Sequence, residues 1–163
     1  MTGLTDDTFG AGNSIVRAQF AVILHRIEGE PLVKQALEFM DVENNAWYTG
    51  SVRWANASGI VFGYTDTKLF GTNDPITREQ MAVMMYRYAE YKEYDVSATA
   101  DMSTFEDGEQ VSAFAKKAMQ WAVGTGIISG KDNGTRLDPQ GNASRAECAA
   151  IIMRFDRKYN KTE

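Results

Sequence analysis

Hydrophobic and polar positions settle into one helical rhythm that recurs three times along the chain. After Arg17, Arg78 and Arg145, apolar or small thiol residues stand three, six, seven and ten places on. They are Phe20, Ile23, Leu24 and Ile27; Met81, Met84, Met85 and Tyr88; and Cys148, Ile151, Ile152 and Phe155. That spacing is one stripe of an amphipathic helix. A second arginine follows nine places after the first in each copy: Arg26, Arg87 and Arg154. Three in-phase occurrences define a repeat, and a repeat outranks other signals when fold is judged.

The repeating unit is longer than its arginine helix. Phe39 aligns with Phe105, Asp41 with Asp107, Trp54 with Trp121, Gly59 with Gly126, Gly63 with Gly130, and Arg78 with Arg145. Each unit therefore reads as a first helix, a glycine-bounded turn, an irregular loop and the arginine helix. The pattern predicts first helices over 47–58 and 111–125, with Gly59 and Gly126 just past their ends. Trp47, Ser51, Trp54 and Ala55 share one face of the former, and Phe114, Ala118, Trp121 and Ala122 one face of the latter. Capping boxes open two arginine helices, Thr77 with Gln80 and Ser144 with Glu147. The first has Val16 at the cap position, so its start is weaker or is rescued by Ser14.

The first copy is only half present, with Gly3 in the place of Gly63 and Gly130 and no first helix before it. The expected organisation is a partial repeat over 1–31, a full repeat over 32–93 and another over 94–163, together one compact all-α domain of tandem helix-loop-helix units. Linkers fall around 29–34 and 94–100 and read as solvated. A unit of this kind cannot bury its apolar face alone, so the missing half predicts a wet groove or a surface open to a partner.

Composition narrows the function. With 44% hydrophobic and 11% aromatic residues in 163, the chain buries a real core. A net charge of −5 without any Lys/Arg-rich run argues against nucleic acid. No apolar stretch reaches a membrane span and no signal peptide opens the chain, so a soluble piece of something longer is expected. The single Cys148 lies on an apolar stripe and reads as a small buried hydrophobe.

A first-turn arginine faces the positive end of the helix dipole, which costs up to about 1 kcal/mol. Its recurrence leaves two readings open. Free backbone N–H groups at a helix start attract anions, and a guanidinium beside them would grip a carboxylate. Alternatively each arginine pairs with an acid of a neighbouring unit, such as Asp41 or Asp107. The second set (Arg26, Arg87, Arg154) reads as structural. Trp54 and Trp121 read as core, whereas Trp47, at a helix start, is the candidate for a partly exposed ring that could lie against a sugar. His25, the only histidine, reads as a surface or edge residue. No phosphate loop, metal motif or cofactor signature is present, and KDNGTRLD lacks the calcium-loop spacing.

Taken together, F-x-D, an aromatic, a Gly-Ile, a further Gly and a closing T-R-E-Q or S-R-A-E resemble the S-layer homology family. Phe39, Asp41, Trp47, Gly59, Ile60, Gly63, Thr77, Arg78 and Glu79 carry the resemblance in copy two. Phe105, Asp107, Gly126, Ile127, Gly130, Ser144, Arg145, Ala146 and Glu147 carry it in copy three. The resemblance implies a pseudo-threefold helical bundle, secreted and held at the bacterial cell wall, that binds secondary cell-wall polysaccharide, often pyruvylated, in grooves between repeats. It implies a Gram-positive source, no catalysis and no cofactor, and a carbohydrate site drawn from Arg17, Trp47, Gly63, Thr77, Arg78, Gly130, Ser144 and Arg145. Copy one departs with V-R-A-Q, and Phe114 replaces the early Trp in copy three. At most two working grooves are then expected, the best around Trp47, Thr77 and Arg78, with Arg78→Ala weakening glycan binding at little loss of stability. The competing reading is an interaction or self-assembly module, with homo-oligomers formed through the incomplete first repeat. An enzyme acting on wall sugars would need a carboxylate pair across one groove.

Overall fold

The computed structural model describes residue 1 and residues 8–160. Among these, five α-helices form: α1 (Arg17–Ile27), α2 (Thr49–Ala57), α3 (Arg78–Tyr91), α4 (Lys116–Gly124) and α5 (Arg145–Tyr159), with three short 3-10 turns between α3 and α4. No β-strand occurs among the described residues, only isolated bridges. The first helices are shorter than the pattern predicts. The segment before α2 turns rather than coils, and Ala113–Ala115 is a 3-10 turn ahead of α4. Gly59 and Gly126 do follow α2 and α4, at φ 71° and 76°, left-handed conformations that close a helix with little strain in glycine.

The caps behave as their side chains allow. Thr77 accepts from the Gln80 N–H and Ser144 from the Glu147 N–H. Valine has no acceptor, so at the start of α1 only the return half survives, with the Val16 N–H donating to Gln19 Oε1 at 3.0 Å. Ser14 does not rescue this cap; it bridges to Ser144 instead. Gly3 lies outside the described residues.

Residues just ahead of the arginine helices tie the repeats together. The Ile15 N–H donates to Ala143 O at 3.1 Å, Ala143 to Ile76 O at 2.9 Å, and Ile76 back to Ile15 O at 2.9 Å. The three bonds close a ring, and all three residues are fully buried. Around it pack the apolar stripes: Phe20, Leu24, Met81, Met85, Cys148 and Ile151, with Trp54 and Trp121 at 1% exposure.

The helices pair as α1 with α2 and α3 with α4. Under α2, α1 buries Ala18, Ala21, Val22 and His25. The histidine is not at a surface: it stacks on Trp54 with centroids 5.0 Å apart. Its Nε2 donates to Pro31 O at 3.0 Å, which leaves Nδ1 to accept the Ser51 hydroxyl at 3.0 Å. On α3 the equivalent face of Glu79, Ala82, Val83 and Tyr86 is buried. On α5 the equivalent face is more open, with Ala146 exposed, Ala149 and Ala150 half-buried and Met153 at 44%. A groove of about 610 Å³ runs there, walled by Phe9, Ile23, Ile27, Ile152 and Met153. An apolar groove thus lies against α5 among the described residues. The linker at 94–100 is an alternating strap rather than a solvated coil, because Tyr94, Val96 and Ala98 pack on the core.

Candidate functional site

The first two N–H groups of each arginine helix are already paired and are not free to hold an anion. The Arg17 and Ala18 N–H groups donate to Asp74 O and Thr72 O, those of Arg78 and Glu79 to Gly141 O and Pro139 O, and those of Arg145 and Ala146 to Asn13 O and Ala11 O. Buried backbone donors must be paired, and here the neighbouring repeat pairs them. Nor do Asp41 and Asp107 meet the arginines. Asp41 accepts the N–H groups of Phe70, Gly71 and Thr72 at 2.7, 2.7 and 2.9 Å, and Asp107 those of Leu137 and Asp138 at 2.7 Å each. Both acids shape the loops that the guanidinium groups then reach.

Each first-turn arginine projects across a repeat boundary and donates its Nε–H to one carbonyl. Arg17 reaches Phe70 O at 2.9 Å, Arg78 reaches Leu137 O at 2.7 Å, and Arg145 reaches Phe9 O at 2.9 Å. Three crevices result. Around Arg17 a cavity of about 270 Å³ is lined by Phe62, Gly63, Tyr64, Gln80, Arg87 and Phe114. Around Arg78 one of about 290 Å³ is lined by Ser129, Gly130, Lys131, Glu147 and Arg154. Around Arg145 one of about 220 Å³ is lined by Gln19, Ile23, Arg26 and Trp47.

The crevices differ electrostatically. Arg17 is 7% exposed, and no acidic side chain of the described residues pairs with it. Its guanidinium carbon lies 4.9 Å from the Tyr64 ring centre and 5.0 Å from that of Phe70. Burial lowers its pKa, against the attraction of Tyr64, Asp74 and Asp41. Arg87 stacks over Phe62 at 4.7 Å and is lowered by burial too. Phe62 and Phe114 stand 61% and 62% exposed at the rim.

Arg78, by contrast, is fully engaged: beyond Leu137 O, Nη2 donates to Ser129 O at 2.9 Å and Nη1 to Glu147 Oε1. Burial pushes the Glu147 carboxyl up, but the Ser144 N–H, Arg78 and Lys131 outweigh it and hold the pKa below the ordinary value. Lys131 is itself bound to Asp138 at 2.7 Å.

Six of the eight sequence-derived residues fall at crevices, in pairs not foreseen. Gly63 belongs with Arg17, Gly130 with Arg78, and Trp47 with Arg145. Trp47 is 64% exposed, as a sugar-facing ring requires, but it does not join Arg78 and Thr77. The reason is the cyclic register: an arginine serves the crevice at the following repeat, while Trp47 precedes α2 and faces the last one. Thr77 and Ser144 are spent on their caps. Arg26, Arg87 and Arg154, taken as structural from the sequence, also line crevices, and Arg87 and Arg154 donate to Ile60 O at 3.4 Å and Ile127 O at 3.3 Å. Their strict nine-residue offset was the available signal. Among the described residues no three His, Cys, Asp or Glu side chains gather as metal ligands would, and no helix is long and apolar enough to cross a membrane.

Comparison with known proteins places these crevices in context. The S-layer homology domain family matches residues 38–82 and 104–149, together more than half of the chain. An amylopullulanase of Thermoanaerobacterium thermosulfurigenes is 36% identical over 92% of this chain and 8% of its own length. The surface-layer 125 kDa protein of Lysinibacillus sphaericus is 28% identical over 98% of this chain and 13% of its own. The cellulosome-anchoring protein of Acetivibrio thermocellus is 27% identical over 94% of this chain and 34% of its own. The chain thus spans about a third or less of these relatives.

Proposed function

Since the chain belongs to the S-layer homology domain family, we propose that it is a non-catalytic anchor binding an acidic secondary cell-wall polysaccharide in the crevices between repeats. A secreted, cell-wall-associated setting follows from surface-layer and anchoring relatives. The enzymes among them match over only a small part of their length, consistent with catalysis residing in other domains. The ring of Ile15, Ile76 and Ala143 supports reading the repeats as one pseudo-threefold bundle across residues 1–31, 32–93 and 94–163.

The observation that carries the reading is Arg17. A cation this buried is unfavourable without a counter-charge. This one keeps its terminal nitrogens for a crevice that also holds Arg87 and bare aromatic rings. A sugar bearing a carboxylate, such as a pyruvate ketal on N-acetylmannosamine, supplies both the counter-charge and C–H faces for those rings. A local cationic crevice also lets a chain of net charge −5 hold an acidic polymer. The test is retention of the purified chain on wall sacculi before and after the secondary polysaccharide is stripped. Binding only to unstripped sacculi, lost in Arg17→Ala, is expected. Equal binding to stripped sacculi refutes it.

The open apolar face of α5 favours a second activity, self-association through that face. Sedimentation should then show a concentration-dependent dimer that Met153→Asp dissociates. A monomer at every concentration removes this reading.

A further inference from the structure

We infer that Glu147 occupies, within its own crevice, the place of the ligand's carboxylate, so that the Arg78 crevice is closed to an anionic sugar that the Arg17 crevice accepts. The inference rests on the polysaccharide reading above and adds which crevice binds and which residue decides it.

The contrast begins at one position of the repeat, the third residue of each arginine helix, occupied by Gln19, Gln80 and Glu147. All three return a side-chain oxygen to their own cap, at 3.0 Å to Val16 N, 3.1 Å to Thr77 N and 2.7 Å to Ser144 N. A carboxylate has a second oxygen with full acceptor strength, and Glu147 directs it to the Arg78 Nη1. An amide offers N–H groups there instead, which cannot accept from a guanidinium. Accordingly Gln80 lines the Arg17 crevice without binding Arg17.

The two arginines share their anchor and their burial: both donate Nε–H to the equivalent loop carbonyl, and both are nearly buried, at 7% and 4% exposure. Arg78 has a protein acceptor on Nε, Nη1 and Nη2, whereas Arg17 has one on Nε alone. An incoming carboxylate at Arg78 must displace a charged hydrogen bond and then lie beside the displaced like charge. Lys131 and Arg154 do not substitute as the anion's primary partner. The former is held by Asp138 at 2.7 Å, and the latter donates to Ile127 O at 3.3 Å just as Arg87 donates to Ile60 O at 3.4 Å, so it does not distinguish the two crevices. The Arg78–Glu147 pair therefore also shows the approach that a ligand carboxylate takes at Arg17, from the side of the third helical residue.

Glu147→Gln tests this with a built-in control for folding, because glutamine at the same position already completes the caps of α1 and α3. The probe is a monosaccharide, the 4,6-pyruvate ketal of an N-acetylmannosaminide, titrated calorimetrically and by amide NMR into the whole chain. Wild type should shift the Gly63 and Tyr64 amides and leave Gly130 and Lys131 in place. Glu147→Gln should bind one further equivalent and shift Gly130 and Lys131 as well. Arg17→Ala should weaken the Gly63-side site at least about tenfold. If wild type already shifts both sets, or Glu147→Gln gains nothing while the Gly63 site binds, this inference fails and the anchoring function stands. If neither protein binds the probe and neither is retained on unstripped sacculi, the anchoring function fails and this inference with it.

Discussion

Replacing Arg78 by alanine should unfold the protein far more readily than replacing Arg17, although the two occupy equivalent repeat positions. Arg78 ties Leu137 O, Ser129 O and Glu147 to α3 from a side chain only 4% exposed. A hydrogen bond to a charged group is worth about 1.5–3 kcal/mol, and removing one member of a buried pair costs about 3–5 kcal/mol. Glu147 keeps the Ser144 N–H, has Lys131 at 3.6 Å and is 24% exposed, which favours the low end. A loss of about 3 kcal/mol then lowers Tm by about 6–12 °C for a domain of this size. Arg17→Ala removes one carbonyl bond and two ring contacts, offset by release of a buried unneutralised cation. Its net change should stay within about 1 kcal/mol, or about 4 °C. Calorimetric melts of both variants at neutral pH, with circular dichroism to verify the fold, decide the matter. If Arg78→Ala melts within about 2 °C of wild type, or the two variants fall equally, the assignment of Arg78 as a structural tie and Arg17 as a ligand-facing cation is wrong. The expectation from sequence, little loss of stability on removing Arg78, is reversed by this geometry.

Acid should destabilise the fold in a defined window. At Asp41 burial opposes ionisation, but the N–H groups of Thr72, Phe70 and Gly71 prevail and hold the pKa below 3.8, as similar contacts hold Glu147 below 4.5. Their stabilisation is complete above those unfolded-state values and is lost as pH falls through the lower folded ones, so Tm should be level from pH 7 to about 5.5 and drop below about 4.5. Asp41→Asn should flatten part of the drop. Burial pushes the Cys148 thiol up to about 12, so a thiol reagent at pH 8 should react only after denaturant is added. Gly63→Ala should cost about 2 kcal/mol in chemical denaturation, since φ is 75° and a Cβ would sit 2.6 Å from Leu69 O and 2.7 Å from Phe39 Cε1. Acrylamide should quench a single tryptophan component, that of Trp47, which Trp47→Phe removes with Tm unchanged within about 2 °C.

Sequence pattern served best where physics is local. The three stripes, the Thr77 and Ser144 caps and the glycines after α2 and α4 depend on residues within a turn of one another, and each is found in place. It served worst ahead of α4, whose leading residues carry the right apolar spacing yet form turns, because Glu79 claims a backbone group there. The Ser112 N–H donates to Glu79 Oε2 at 3.0 Å, for example. His25 went the same way: its place beside the stripe looked peripheral until α2 and Pro31 closed over it.

The chain's own residues determined that it is an all-α repeat protein with an arginine opening the second helix of the repeat. Period, capping and charge at a helix start are written within about four residues and need no partner to be read. Tertiary structure alone decided which arginine meets which loop, and therefore which guanidinium pairs with an acid. The helix-start N–H groups must be satisfied across a repeat boundary, so each guanidinium is delivered to a loop more than 50 residues away in sequence. There the Glu147 carboxylate and Ser129 O engage the terminal nitrogens of Arg78, whereas Arg17 is held by its Nε alone among the described residues.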